Sequence, residues 1–288
     1  MSVFVNKNTR VMVQGITGTQ ASFHVQRALK YGTKIVAGVV PNKHEDFYLG
    51  VPVFTTVKEA KQRTGATASI LFVPAKFAKS AILEAIDAKL DLVVVITSGI
   101  PVSDMLEIKQ ALSTSKTILI GPNTPGIITP QEAYMGIFPD NIHKSGRIGI
   151  ISRSSTLTYE VILEINKAGF GESTVVGLGD DFIIGTGFIE AIDAFNCDSD
   201  TDAIVLIGGI GGNYEIEAAQ KYMNMQKRKK VIALMIEEPA ALYQDVGLAS
   251  DIICRGITTH AEKKKLMKKS GMIVVDTMSD LIKELSNP

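Results

Sequence analysis

Short runs of β-branched and other apolar residues alternate with helical periods along almost the whole chain, and this alternation limits the possible folds more than any other feature. The strand candidates are residues 10–14, 34–40, 69–73, 91–97 and 117–121, followed by residues 147–152, 174–179, 203–209, 230–236 and 272–276. Strands that are apolar without a break are typical of parallel sheets with helices on both faces. Because parallel crossovers are right-handed, the pattern predicts an α/β fold with doubly wound parallel sheets.

Proline marks one interruption of this alternation. Four of the ten prolines fall between residues 121 and 146, in GPNTPGIITPQEAYMGIFPDNIHKSG. The segment is too apolar for a flexible tether, so we interpret it as an ordered connection. The sequence therefore predicts two α/β domains, residues 1–122 and 146–288, joined by residues 123–145, and a chain of 288 residues is long enough for both.

The charge balance argues against two classes of partner. Thirty basic residues match thirty acidic ones, so no bulk charge attracts nucleic acid or a membrane surface. No apolar run reaches the roughly 18 residues of a membrane span, the first residues lack a signal-peptide pattern, and the two cysteines lack metal-ligand spacing. We therefore expect an intracellular protein, in the cytoplasm or, after loss of a targeting segment, in an organelle matrix.

The loop after the first strand has the features of a phosphate site. It reads QGITGTQ and opens the first helix, whose backbone amides and dipole favour an anion. Lys43 follows the second strand, where nicotinamide dinucleotide proteins usually carry an acid that binds the ribose. A lysine at that place suits a ligand with an additional phosphate on its ribose. Coenzyme A (CoA) and NADP both fit, and these residues alone do not separate them.

Several longer stretches carry a resemblance to a known family. VMVQGITGTQASFH, LIGPNTPGIITP, RIGIISRSSTLTYE and IGGIGG closely resemble the α subunit of succinate–CoA ligase, in the same order and at the same spacing nearly from end to end. The resemblance implies a Rossmann-like CoA-binding domain followed by a flavodoxin-like domain. It also implies a separate β subunit of the ATP-grasp type, which binds the Mg-nucleotide and the acid, in a heterodimer or heterotetramer.

The resemblance and the loops after the strands together give the expected CoA contacts. These are Thr17, Gly18, Thr19, Gln20, Lys43, Val73, Pro74, Ile96, Thr97, Ser98 and Asn123. Ser98 stands where the family usually has a glutamate, and Tyr159 matches a tyrosine that faces the β subunit. No metal site is expected in this chain, since we interpret Asp180 and Asp181 as solvated loop acids.

The resemblance ends at the residue that carries the phosphoryl group in the family. Family members bear it on a histidine, whose place is taken here by Leu248. Gly209 replaces the glutamate that orients that histidine, and Ser155 replaces a glycine in the helix start that cradles it. Leucine has no lone pair that attacks a phosphoryl group, so we expect the phosphohistidine step to be lost and assign no catalytic residue. Ser154, Ser155 and Thr156 are then a remnant of a phosphate loop, and a helix N-cap is their favoured role.

Three functions are compatible with these residues. The first is a CoA-binding subunit of an acid–CoA ligase, in which the ATP-grasp partner forms an acyl phosphate directly and releases a nucleoside diphosphate. The second is a non-catalytic CoA or acyl-CoA binding protein, or a regulatory paralogue of such a ligase. The third, an NADP-dependent oxidoreductase, is supported only by the first loop and Lys43. Whether the chain is part of an enzyme depends on whether catalysis survives without the histidine.

Overall fold

The structure is a computed structural model, and it describes residues 2–42, 45–209, 213–235 and 260–287. These residues form two units. The N-terminal unit consists of Phe4–Asp140 and Gly177–Thr186, and the C-terminal unit of Asn141–Val176 and the residues from Gly187 onward, with the first residues of the chain. The sequence-based division differs from this one, because residues 123–140 belong to the N-terminal unit and residues 177–186 return to it.

Seven strands of the N-terminal unit form one sheet. They are β1 (Val11–Gln14), β2 (Ile35–Val39), β3 (Phe47–Tyr48), β4 (Val51–Phe54), β5 (Ala68–Leu71), β6 (Leu92–Val95) and β7 (Ile118–Ile120). Their order is β3-β4-β2-β1-β5-β6-β7, and neighbouring strands are parallel except for β3 and β4. Without the outer β3, this is the strand order of a Rossmann sheet, whose winding reverses between β1 and β5. The prediction of a Rossmann-like first domain is confirmed.

The described helices of this unit begin where strands end. They are α1 (Thr19–Tyr31), α2 (Val57–Thr64), α3 (Ala75–Asp87) and α4 (Val102–Ser113). Thr56 caps α2 by accepting a 3.2 Å hydrogen bond from the Glu59 amide. Gly32 ends α1 in the left-handed region, with φ 99°. Since α1, α3 and α4 each follow a parallel strand, their N-termini lie at the carboxyl edge of the sheet.

Two short hairpins are not predicted by the sequence patterns. One is formed by β3 and β4, and the other by β8 (Gly126–Thr129) and β9 (Ala133–Gly136). Proline argues against a strand in sequence patterns, because it cannot donate a backbone hydrogen bond. Pro52 lies inside β4 and Pro125 directly precedes β8, so neither hairpin is predicted. Gly126 faces Gly136, and a Cβ atom on Gly126 would lie 2.2 Å from the Met135 carbonyl oxygen. The segment interpreted as a connection therefore contains a tightly paired hairpin, residues 126–136.

The C-terminal unit repeats the alternation in a second parallel arrangement. Its strands are β10 (Ser145–Ser152), β11 (Glu172–Gly177), β12 (Ala203–Ile207), β13 (Lys230–Leu234) and β14 (Ile273–Val275), and its described helices are α5 (Ser155–Lys167), α6 (Phe188–Cys197), α7 (Tyr214–Met223), α8 (His260–Lys269) and α9 (Met278–Ser286). The strands run in the order β14-β13-β12-β10-β11. This is the order of flavodoxin-like sheets, with the reversal between β10 and β12, so the predicted flavodoxin-like domain is confirmed. Among the described helices, none has the length and hydropathy needed to cross a bilayer.

Candidate functional site

The carboxyl edge of the N-terminal sheet, at the reversal between β1 and β5, is where this fold places a ligand. Gly15 follows β1 with φ 81°, and a Cβ atom there would lie 3.1 Å from Cγ1 of Val73, which follows β5. Ile16 is buried over Gly38 of β2, where a Cβ atom would lie 2.6 Å from Cγ2 of Ile16. The β1–α1 loop, residues 15–18, is thus seated between the ends of β2 and β5.

The predicted phosphate contacts Thr17, Gly18, Thr19 and Gln20 are all exposed at this edge. Gly18 is the N-cap of α1, and without a side chain it leaves the first amides of the helix unbonded by a cap. The first turn of α1 carries no acidic residue. The amides and the positive end of the helix dipole therefore remain available for an anion such as a phosphate.

Thr97 links the loops that follow three neighbouring strands. Its hydroxyl donates a 2.6 Å hydrogen bond to the carbonyl of Val73 after β5. Its own carbonyl accepts a 2.9 Å bond from the Asn123 amide after β7. Asn123 has φ 57°, a left-handed conformation that asparagine tolerates. The structure thus brings the candidates Val73, Thr97 and Asn123 together, and all three are half-buried.

The remaining candidates of this edge lie beside that link. Pro74 is the N-cap of α3 and has no side-chain hydrogen bond, so a second helix N-terminus opens at this edge. Ile96 is half-buried and Ser98 is exposed. Gly99 follows Ser98 with φ 73°, and the chain turns there towards α4. Lys43 lies outside the described residues.

The corresponding edge of the C-terminal sheet lies at the reversal between β10 and β12. The amide of Arg153, just after β10, donates to the carbonyl of Ile207 at the end of β12, at 3.3 Å. Ser154 caps α5, because its hydroxyl accepts a 3.4 Å hydrogen bond from the amide three residues on. Ser155 is half-buried and Thr156 is exposed in the first turn. Of the triplet for which an N-cap role was favoured, Ser154 is the residue that takes it.

A buried ion pair that sequence reasoning missed lies beside the turn after β12. Glu215 of α7 and Lys263 of α8 are both buried, with Oε2 and Nζ 3.2 Å apart. Oε1 of Glu215 accepts a 2.8 Å hydrogen bond from the Gly209 amide, and Nζ of Lys263 lies 3.5 Å from the Gly209 carbonyl oxygen. The pair therefore holds both polar groups of Gly209. No local pattern joins two residues 48 positions apart.

Gly209, the position of the glutamate in the resembled family, therefore has a carboxylate nearby from another element. A Cβ atom on Gly209 would lie 3.8 Å from Oε1 of Glu215. Leu248 and residues 210–212, the rest of the GGIGG turn, lie outside the described residues. Tyr159, the expected subunit contact, is half-buried on α5, and burial raises the pKa of its phenol. The phenol therefore keeps its proton, and its ability to donate a hydrogen bond, at neutral pH.

His24 of α1 is packed among aromatic rings. It stacks on Phe72 with ring centroids 5.9 Å apart and planes 5° from parallel. The ring of Phe23 is nearly perpendicular to it, with the centroids 5.0 Å apart. Burial, and then the charge of Arg27, lower the pKa of His24. A neutral imidazole held in this way is a packing group. Within the described ranges, no group of three or more His, Cys, Asp and Glu side chains is arranged to hold a metal ion.

Two family models match the chain, one in each unit. Residues 6–99 match a model described as a CoA binding domain, and residues 151–281 match one described as CoA-ligase. The chain is 49% identical over 281 residues to the α subunit of the ADP-forming succinate–CoA ligase of Staphylococcus epidermidis, which covers 98% of this chain and 93% of the relative. The same subunit of Staphylococcus aureus strain Mu50 matches with equal identity and coverage.

Solved structures share the fold at lower sequence identity. ATP citrate lyase from Methanothrix soehngenii, in complex with citrate and coenzyme A, has a TM-score of 0.84 at 20% identity, over 97% of this chain and 50% of the lyase chain. The dinucleotide-forming acetyl-coenzyme A synthetase 1 of Ca. Korarchaeum cryptofilum has a TM-score of 0.74 at 20% identity, over 96% of this chain and 60% of the synthetase chain. This chain therefore spans about half of the first protein and 60% of the second.

Proposed function

The chain belongs to the family of succinate–CoA ligase α subunits, and from this membership we propose that it is the CoA-binding subunit of an acid–CoA ligase. A β subunit completes such an enzyme in a multimer. We further propose that this partner is an ATP-grasp protein, which binds the Mg-nucleotide and the carboxylic acid. Tyr159 of α5 is the residue that we propose for the contact with it.

The carboxyl edge of the N-terminal sheet is the observation that carries this proposal. Most of it lies within the residues that match the CoA binding domain model. The uncapped amides at the start of α1, next to Thr17 and Gln20, suit the diphosphate of CoA. Lys43 suits the phosphate on the ribose. The thiol arm then runs towards Thr97 and Ser98, where the hydrogen bonds to Val73 and Asn123 fix the loop.

The chemistry that this chain serves is the attack of the CoA thiol on an acyl phosphate. The carbon–sulfur bond forms, the bond from the acyl carbon to the phosphate oxygen breaks, and inorganic phosphate leaves with the electron pair. The thiol proton passes to the leaving phosphate or to water. The contribution of this chain is to hold the thiol at the acyl carbon, which replaces a bimolecular encounter by an oriented one.

In this proposal the acyl phosphate forms directly from ATP and the acid on the partner, and no residue of this chain is phosphorylated. The support is that Leu248 and Gly209 stand where the family has its histidine and its orienting glutamate. Glu215 and Lys263 neutralise each other beside Gly209, so the described part of the turn offers no uncompensated cation to a phosphoryl group. The second candidate function is a CoA-binding regulatory paralogue, which the same substitutions favour.

Calorimetry of the full chain with CoA and with NADP tests the binding half of the proposal. We expect CoA to bind and NADP to bind far more weakly. A charge-assisted contact contributes about 1.5–3 kcal/mol, so Lys43→Ala should weaken CoA binding by about ten-fold or more. Lys30→Ala is the matched control, because it removes the same charge from the exposed last turn of α1.

The catalytic half needs the partner. The chain is purified from its native host with whatever β-type subunit accompanies it, and thioester formation is followed with CoA, Mg-ATP or Mg-GTP, and a panel of carboxylic acids. Thioester formation supports the ligase. CoA binding without thioester, or without a β-type partner, supports the regulatory paralogue. Absence of CoA binding, or NADP binding tighter than CoA, overturns the whole proposal.

A further inference from the structure

A tyrosine outside every expected contact reaches the start of α1. Tyr48 belongs to β3, the outermost strand, and its Oη atom lies 2.8 Å from Oγ of Ser22 in the first turn of α1. Ser22 is four residues after Gly18, and its amide donates the first helical bond to the Gly18 carbonyl, at 2.8 Å. Tyr48 therefore contacts the helix start just behind the exposed residues of the β1–α1 loop.

The direction of the hydrogen bonds follows from counting protons. The hydroxyl of Ser22 has one proton, and its nearest carbonyl acceptor is that of Gly18, at 2.9 Å, with the carbonyl of Ile16 further away at 3.4 Å. Because Ser22 donates to Gly18, it accepts from Tyr48. The result is a series of two hydrogen bonds, in which Tyr48 donates to Ser22 and Ser22 donates to the carbonyl of Gly18.

The chain of hydrogen bonds orients an amide that faces the ligand edge. The carbonyl of Gly18 and the N–H of Thr19 belong to one planar peptide group and point in opposite directions. Holding the carbonyl towards Ser22, inside the helix, therefore directs the Thr19 amide outward from the helix end. Gly18 has no side chain that fixes this peptide by capping. The Ser22 hydroxyl adds a second bond to the carbonyl that the helix itself already holds by one.

Tyr48, at one end of this series of hydrogen bonds, is held in place by the outer hairpin. Tyr48 pairs with Val51 in an antiparallel hairpin whose two turn residues, Leu49 and Gly50, have φ values of 52° and 75°. Two such residues in succession are typical of the tight hairpin turn that matches the twist of the strands. β4 in turn pairs with β2 through Gly38 and Val53. The backbone of Tyr48 is therefore held relative to the sheet, and from that position its hydroxyl contacts Ser22.

We propose that Tyr48 is a positioning residue for the diphosphate of CoA, and that it acts through Ser22 on the peptide between Gly18 and Thr19. This inference rests on the proposed function, because it takes CoA as the ligand of that edge. It adds a residue of the outer hairpin to the binding machinery. The ligand groups that it affects are the phosphates, and the thiol arm is unaffected.

The test compares full-length Tyr48→Phe, Ser22→Ala and the double variant by calorimetry, with CoA and with pantetheine, which lacks the diphosphate. Loss of one hydrogen bond in the chain should weaken CoA binding by about three- to ten-fold, and leave pantetheine binding unchanged. The double variant should bind CoA no more weakly than Ser22→Ala, because both changes interrupt the same series of hydrogen bonds. Ser22→Thr keeps the hydroxyl and should restore the affinity.

Tyr31→Phe is the matched control at the far end of α1, where the Tyr31 hydroxyl accepts a 2.9 Å bond from the Gln131 amide. It should leave the affinity for CoA unchanged. Equal CoA affinity of Tyr48→Phe and the unaltered chain overturns the inference and leaves the proposed function standing. An equal loss for CoA and pantetheine also overturns it, since that result indicates a general effect on folding. If the unaltered chain does not bind CoA, the proposed function itself fails.

Discussion

The two units place a strand, a turn and a helix start at their reversal points, and they prepare those helix starts in opposite ways. In the N-terminal unit, Gly18 begins α1 without a side-chain cap and the residues after it are exposed. In the C-terminal unit, the hydroxyl of Ser154 caps α5 itself. Beside it, the turn after β12 has the polar groups of Gly209 bonded by Glu215 and Lys263. The start of α1 has no side-chain cap, whereas the start of α5 has one of its amides capped by a serine hydroxyl.

A fold can thus keep the geometry of a site while the residues decide whether the site accepts a ligand. The backbone at β10 and α5 has the same strand-to-helix form as the backbone at β1 and α1. At the α5 start, however, Ser154 caps one amide, and the charges beside the neighbouring turn after β12 are paired with each other. The expected histidine position is occupied by Leu248. The comparison leads to the proposal that CoA binding is kept in the first unit and phosphoryl transfer is lost from the second.

The first prediction concerns phosphorylation of this chain, which we expect to be absent altogether. Incubated with radiolabelled ATP and a β-type partner, this chain should take up no acid-labile, base-stable label, because Leu248 cannot accept a phosphoryl group. Leu248→His alone should also stay unlabelled, since Gly209 supplies no orienting carboxylate and that of Glu215 is bound by Lys263 and the Gly209 amide. Leu248→His with Gly209→Glu, together with Ser155→Gly, should regain label. Label on any histidine of the unaltered chain would contradict the loss of the phosphocarrier step.

The second effect concerns the charges that hold Gly209. Lys263→Met leaves the carboxylate of Glu215 buried without its cation, which costs about 3–5 kcal/mol of unfolding free energy. Lys263→Met with Glu215→Gln should recover a large part of that loss, because no isolated charge remains. Urea denaturation measures both. The control is Lys79→Met, which breaks the partly exposed bridges to Asp104 and Glu107 and should cost less than about 1 kcal/mol. If both lysine variants lose a similar amount of unfolding free energy, the Glu215–Lys263 pair does not behave as a buried ion pair.

The third effect separates the open site from backbone strain. Gly15→Ala forces a side chain into φ 81° and places its Cβ atom 3.1 Å from Val73. The strain costs about 1–2 kcal/mol, and the displaced loop should also bind CoA more weakly. Gly32→Ala imposes a comparable strain at φ 99°, with no atom within 4 Å of its Cβ atom. It should lower stability while keeping CoA affinity. Calorimetry and thermal melting of the two variants give the comparison, and equal CoA losses would count against a site at Gly15.

Much of this architecture is predictable from the sequence, and the reasons are physical. Parallel strands buried on both faces leave continuous apolar runs, so β1, β6 and β12 are readable, and the residues after them fall on one edge. The β3–β4 hairpin is hidden because Pro52 disguises a strand that lies near the edge. The hydrogen bonds of Thr97 and the pairing of Glu215 with Lys263 depend on which loops and helices meet in space, and no spacing along the chain encodes that.

The smallest effect tests the N-terminal unit through His24, which stacks on Phe72 close to Val73. Burial and the charge of Arg27 lower its pKa from the ordinary value of 6.5. As the pH falls below that value, His24 is protonated in the unfolded chain before it is protonated in the folded chain. The free energy of unfolding therefore decreases as the solution becomes more acidic. His24→Phe keeps a ring at that position and removes the titration. Its melting temperature should therefore fall less than that of the unaltered chain between about pH 7 and about pH 5, where His24 titrates in the unfolded state. Since carboxylates also titrate in that range, the difference between the two chains is the quantity to measure. If the two melting temperatures fall equally with pH, His24 takes up its proton equally in both states, and the neutral, half-buried imidazole beside the β5 loop is contradicted.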